Sequence, residues 1–168
     1  MNLKDFYDYK NQLMKDILSD EEIVPLIDED ILMQDAYKLA YKNVYPLEYM
    51  PETIHDGRTF VCFDVSVQES VNKTYLLPTL YVWVFVHRDK LRLPEGGVRS
   101  DAICSAICDK INGSREYCLG ELDLYSVKPV QIVTDYPGKV MVFHGTEFNR
   151  QYEPNRYTPS NRKKNSGN

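Results

Sequence analysis

The sequence has no apolar run close to the length of about 20 residues that a helix needs to cross a bilayer. Its longest apolar stretch covers only residues 80–86. Residues 1–10 also lack the basic start and apolar core of a secretory signal. We therefore expect a protein of a reducing intracellular setting that does not act in a membrane.

Cysteine is scarce, and its spacing excludes two common kinds of site. The four cysteines form no C-x-x-C pair, which a zinc ribbon or a dithiol redox centre would need, and no clear disulfide framework. Cys104 and Cys108 stand four residues apart on a predicted helix and could chelate a metal with Cys118, His87 or His144. Free cysteine packs well as a small apolar side chain, so we expect no metal site.

Familiar catalytic signatures are also missing. The sequence contains no G-x-x-x-x-G-K-[ST], no G-x-G-x-x-G after a strand, no H-E-x-x-H and no G-x-S-x-G. The three histidines are scattered near predicted strand ends and loops. These absences predict a protein that is not an enzyme and has no cofactor, with an enzyme of unrecognised type as an alternative.

Charge is divided unevenly along the chain. Residues 150–168 hold five basic side chains and one acidic one, a net charge of +4 within a total of −5, which leaves −9 for residues 1–149. An acidic body repels phosphates, so we do not expect a domain that grips duplex DNA. The basic end could still bind nucleic acid or an acidic protein surface.

The N-terminal part of the chain, residues 1–46, has helical patterns. Apolar residues recur at spacings of three and four over residues 3–18, as in an amphipathic helix. A short piece follows at 23–27, and acidic residues just before position 31 can cap a third helix over 31–44. Pro46 disfavours helical geometry at the residue before it and marks the end.

Tyr37 and Tyr41 are predicted to form a short stripe on this third helix. Such rings ordinarily cap a core with their hydroxyls in water. At a subunit interface, tyrosine is enriched because it offers a large area with a polar tip. Both interpretations stay open, and we name the two residues as contact candidates.

Two apolar runs predict neighbouring strands joined by a hairpin. Over residues 59–67 apolar and polar side chains alternate, which is typical of a half-buried strand. Residues 80–86 are apolar on both faces, which indicates a central strand covered on both sides. A helix capped by Ser100 can cover one face, and the N-terminal helices or a neighbouring subunit would cover the other.

A charged segment, residues 87–99, follows the central strand. It carries Arg88, Asp89, Lys90 and Arg92 before a glycine pair, so it is too polar for core and too rich in glycine for a helix. Loops beside rigid strands often carry contacts, and a solvated connection is the equally ordinary alternative. We treat these four side chains as contact candidates.

Together the patterns predict an α+β fold with a four- to five-stranded, mainly antiparallel sheet covered by helices. Residues 100–111 form a helix with a clear end, and residues 135–139 form the turn between two closing strands. We expect a single domain over residues 1–149 and an extended arm over residues 150–168.

The arm has its own rhythm, because Asn-Arg pairs recur every six residues and alternate with tyrosine and proline. This composition cannot form a core, and proline favours an extended chain. A basic arm that lay on the acidic body of a neighbouring copy would match the two charges, and a disordered solubilising tail is the alternative. Arg156, Tyr157 and Arg162 are the contact candidates here.

The order of elements resembles that of small neck proteins of tailed bacteriophages, of the tail-terminator or tail-completion type. The likeness is carried by two helices before a strand, the long central strand, Arg-Ser-Asp at 99–101 opening a helix, Gly-x-Leu-x-Leu at 120–124, and a closing strand that runs into Phe143 and Phe148. It covers most of residues 10–149 and includes no catalytic or ligand motif.

The resemblance implies a structural virion protein that forms a ring, with a hexamer as the expected number. The ring would end the tail tube and join it to a head-connector or head-closure protein, with DNA passing through its lumen without specific binding. Its place would be the virion neck, and the host cytoplasm during assembly. The alternative from another class is a small acidic inhibitor or regulator that binds a host protein.

Overall fold

The computed structural model describes residues 3–49, 57–69, 74–117, 120–131 and 133–148. Its helices are α1 (Leu3–Leu18), α2 (Ile23–Ile27) and α3 (Arg99–Ile111), with 3-10 helices at Met33–Leu39 and Arg88–Lys90. Its strands are β1 (Val44–Tyr45), β2 (Thr59–Glu69), β3 (Tyr75–Val86), β4 (Asp123–Gln131), β5 (Pro137–His144) and β6 (Glu147–Phe148). Among these residues, no helix is both long and apolar enough to cross a membrane. The predicted arm, with Arg156, Tyr157 and Arg162, lies outside the described residues.

The strands form one sheet in the order β1-β2-β3-β5-β4, and the short β6 pairs with the beginning of β3. β1 and β2 run parallel, and the other described pairs are antiparallel. The predicted α+β class is therefore confirmed. The turn predicted at residues 135–139 is misplaced, because Pro137 already pairs with Gln131 and residues 137–139 belong to β5.

The first two helices follow the sequence pattern, and Asp20 joins them. Leu13 and Ile17 on α1 are fully buried. Asp20 Oδ1 accepts the backbone N–H groups of Glu22 and Ile23 at 3.0 Å each, which caps the start of α2. Partial burial would raise the pKa of Asp20, but hydrogen bonds from Lys110 and from these two amides leave that pKa below its ordinary value.

The third helix predicted over residues 31–44 is wrong. The chain forms only the 3-10 helix, turns at Tyr41 with a φ of 57°, and pairs β1 with β2. Asn43 explains the change. Its side-chain Nδ2 donates to the Thr59 carbonyl at 2.9 Å, and its backbone carbonyl accepts a hydrogen bond from the Val61 N–H at 2.8 Å. These bonds to β2 outweigh the helical pattern, as tertiary contacts often do.

All three α-helices pack on the same face of the sheet. Val82 and Val84 of β3 are fully buried in this core. The helices contribute Leu13 and Ile17, Ile23 and Ile27, and Ile103, Ile107 and Ile111 to it. The expectation that the N-terminal helices cover the second face is therefore wrong. Lys110 Nζ lies 2.9 Å from Asp20 Oδ2, an ion pair that helps to hold α2 beside α3 on the first face.

On the second face of the sheet, the described residues form a smaller aromatic cluster at one end. Phe60, Cys62, Phe85 and Tyr136 are buried in it. Cys62 is fully buried, so the start of β2 is covered on both faces and is not half-buried as predicted. Farther along β2, Asp64 remains partly exposed, because the cluster does not extend that far.

Candidate functional site

The charged segment after β3 is a folded loop that is fixed at both ends. Arg88 donates its backbone N–H to the Asp135 carbonyl at 2.9 Å and its Nη1 to Asp135 Oδ1 at 3.2 Å. Farther on, Leu93 is buried, its N–H donates to the Gly97 carbonyl, and Gly96 donates back to Leu93. A loop held in this way presents its exposed side chains in a defined arrangement.

Arg99 is the anchor of this loop, and sequence reasoning did not identify it. Its buried guanidinium donates to the Lys90 carbonyl at 2.8 Å, the Leu26 carbonyl at 3.1 Å and Glu29 Oε2 at 3.2 Å. The same residue opens α3, whose N-cap position is Val98, so the predicted N-cap role of Ser100 is wrong. A buried arginine cannot be told from an exposed one by sequence spacing alone.

Three of the four loop candidates, Asp89, Lys90 and Arg92, line a hollow together with Arg99, and Arg88 does not. Arg88 is engaged with Asp135, and Asp89 lies 3.5 Å from His87 Nδ1. Lys90 and Arg92 line a hollow of about 290 Å³, whose other walls include Asp89 and the acidic Glu29. The mixed charge of this hollow suits a polar protein surface that carries both signs.

The tyrosine candidates lie elsewhere, near the β1 edge of the sheet. Tyr37 and Tyr41 are 59% and 65% exposed. Tyr41 follows the end of the 3-10 helix, so the predicted helical stripe does not form. No hydrogen bond or ion pair between described residues joins these tyrosines to the loop candidates.

A third region, absent from the sequence predictions, lies on the second face of the sheet. We call it the open face and define it by the residues that point away from the helices: Asp64 and Ser66 of β2, Thr79, Tyr81 and Trp83 of β3, and Val140 and Val142 of β5. The Tyr81 and Trp83 rings stack with centroids 5.6 Å apart. The two-sided apolar pattern of residues 80–86 was the available signal, and it predicted cover by the N-terminal helices or by a neighbouring subunit.

Among the described residues, few side chains are arranged or activated for catalysis or metal binding. The described part of the chain contains no group of three or more side chains arranged to hold a metal ion. Burial raises the pKa of the Cys62 and Cys104 thiols to about 12, and it also raises the pKa of Cys108. Thiols in this state are poor nucleophiles and poor metal ligands at neutral pH.

Comparison with known proteins gives a family and a related fold. The model of the YomW family matches residues 7–144. A chain of a solved structure described as the virion of native gene transfer agent (GTA) particle is 14% identical, with a TM-score of 0.50, and the match covers 83% of this chain and 93% of that chain. At this identity the likeness is one of fold. No curated protein matches the sequence.

Proposed function

We propose that this chain, which belongs to the YomW family, is a structural protein of a phage-type virion. The observation that carries the proposal is the fold shared with a chain of a gene transfer agent virion over nearly the whole of that chain. Fold alone does not transfer function, so the proposal also rests on three candidate contact regions of this molecule. They are the anchored charged loop, the exposed tyrosines and the open face.

The finer proposal is a neck protein of the tail-terminator type. Residues 1–149 form the body of the subunit and residues 150–168 its arm. A closed ring needs two different, complementary surfaces on each subunit. The loop with Arg88, Asp89, Lys90 and Arg92 supplies one, and the β1 edge with Tyr37 and Tyr41 supplies the other.

In this proposal six copies form a ring that ends the tail tube and meets a head-connector or head-closure protein. The acidic body, with a net charge of −9 over residues 1–149, keeps passing DNA from adhering to the lumen. The protein assembles in the host cytoplasm and remains in the finished particle.

Immunogold labelling of purified virions tests the proposal. We expect gold at the junction of head and tail, at one position per particle. Label along the whole tail would contradict the terminator role but would still agree with a structural virion protein. Particles without label, together with a chain that stays in the cell lysate, would contradict both.

The loop can be tested by charge reversal at Lys90 and Arg92. Among the described residues, neither side chain forms an ion pair or hydrogen bond that holds the fold. The Lys90 backbone, which accepts from Arg99 and donates to the His87 carbonyl, is unchanged by the substitution. We expect the K90E/R92E variant to shift sedimentation from the assembled species toward single chains. The matched control is Lys15→Glu, an exposed position on α1, which should sediment as the unaltered protein does.

The acidic body also favours a second candidate, a small inhibitor or regulator that binds a basic host surface. That candidate predicts a monomer or dimer at every concentration. It also predicts that the chain is absent from purified particles, so the same two experiments separate it from the virion proposal.

A further inference from the structure

The open face contains a hollow of about 330 Å³ at the place where the aromatic cluster ends. It is lined by Glu48, Asp64, Val65, Ser66, Tyr81 and Trp83. Two carboxyls thus stand beside a pair of stacked aromatic rings, and the described residues of the wall include no basic side chain. This combination attracts cations, which bind the faces of aromatic rings most strongly at tryptophan.

The two carboxyls differ in the number of hydrogen bonds and ion pairs that they form within the chain. Asp64 Oδ1 lies 2.5 Å from Lys10 Nζ and accepts the Val65 N–H at 2.8 Å. Glu48 is exposed and has no ion partner among the described residues. A cationic ligand would therefore be drawn mainly to Glu48, with Tyr81 and Trp83 as its apolar floor.

One segment of this chain has the chemistry that fits such a hollow. Residues 150–168 carry three arginines and two lysines, with Tyr152, Tyr157, Pro154 and Pro159 between the charges. Segments that contain proline bind aromatic-lined grooves readily, because they lose little conformational entropy on binding. Arginine beside an acidic rim adds charge complementarity.

The direction of β6 favours receipt of the segment from a neighbouring copy. β6 runs antiparallel to β3, with Glu147 opposite Leu76 and Phe148 opposite Tyr75. β6 therefore ends beside the beginning of β3 and points away from Tyr81 and Trp83 of the same chain. An extended chain rises about 3.3 Å per residue, so Tyr157 can lie about 30 Å beyond Phe148.

We propose that the open face around Trp83 is the docking site for the basic C-terminal segment of a neighbouring copy of this chain. The segment lies across Tyr81 and Trp83, with Arg156 near Glu48. The contact rests on the proposed assembly of the protein into a ring, and it supplies the cover that the second face of the sheet lacks among the described residues.

Photo-cross-linking in the full chain tests this contact. Chains with p-benzoylphenylalanine in place of Tyr157 are mixed with 15N-labelled unaltered chains, irradiated and digested. We expect cross-links between unlabelled and labelled peptides that map to residues 79–86. Glu48→Gln in the labelled chain, or Arg156→Gln in the photoreactive chain, should lower the yield severalfold, whereas Asp109→Asn on the exposed side of α3 should not.

Light scattering on the same samples separates the possible failures. If the protein is assembled but its cross-links fall elsewhere, or only within one chain, the docking site is wrong and the ring proposal still stands. Single chains without mixed cross-links would overturn both. Equal yields from Glu48→Gln and Asp109→Asn would overturn the electrostatic part of the contact.

Discussion

At the scale of single residues, two buried or half-buried polar side chains connect parts of the fold that are distant in sequence. Asp20 caps α2 and pairs with Lys110 of α3. Arg99 joins the charged loop to α2 through the carbonyls of Lys90 and Leu26. Each has several partners, so each is expected to contribute more than an isolated surface pair would.

Asp20→Ala removes both the cap and the ion pair. We expect a loss of about 1–2 kcal/mol in the free energy of unfolding at pH 7, measured by urea denaturation. The pKa of Asp20 is lowered in the folded state, so its charge stabilises the fold above the unfolded pKa of 3.8, and that stabilisation is lost as pH falls through the folded pKa. The difference between the two proteins should therefore shrink in acid.

The control for this change is Asp109→Ala, an exposed acidic position on α3. It should leave the free energy of unfolding within about 0.5 kcal/mol. A difference between Asp20→Ala and the unaltered protein that stayed constant down to strong acid would show that the Asp20 charge contributes nothing.

Arg99→Ala leaves the Lys90 and Leu26 carbonyls without their donor. We expect a loss of about 2–3 kcal/mol in the free energy of unfolding and faster amide hydrogen exchange at residues 87–98. Arg92→Ala is the matched control in the same loop, because Arg92 is exposed, and it should change stability by less than about 0.5 kcal/mol. Equal losses in the two variants would contradict the anchoring role.

At the scale of elements, the sequence correctly predicted the helices and strands whose positions follow from local hydrophobic periodicity. α1, α2 and the two long strands lie close to where their patterns placed them. The third helix failed because Asn43 bonds to β2, a contact that no local pattern encodes. The N-terminal helices or a neighbouring subunit were predicted to cover the second face of β3, and the helices lie on the first face instead. An apolar strand does not show what covers it.

Strand β5 depends on one glycine. A Cβ at Gly138 would lie 2.2 Å from the Val84 carbonyl oxygen and 2.7 Å from Phe85 Cδ1. Because the first of these atoms belongs to the backbone of β3, the strands would have to move apart. Gly138→Ala should lower the free energy of unfolding by about 1–3 kcal/mol in thermal or urea unfolding, whereas Ser126→Ala on neighbouring β4 should change it by less than about 0.5 kcal/mol. Similar stability of the two variants would argue against this close approach.

At the scale of the whole molecule, the described residues cover one face of the sheet with helices and the other face only at one end. Such a subunit has its apolar core complete on the helical side, where Val82, Val84 and Phe143 are fully buried. On the other side Tyr81 and Trp83 remain partly exposed, with carboxyls beside them. Charge is also distributed unevenly, because residues 1–149 are acidic and the C-terminal segment, residues 150–168, is basic. Both asymmetries support the proposed association of like chains.

The mass of the purified chain in solution, measured by light scattering over a range of concentrations, tests this account most directly. We predict a closed assembly of one size, about six times the 19.6 kDa of the single chain, that persists on dilution. A mass of 19.6 kDa at every concentration would contradict it.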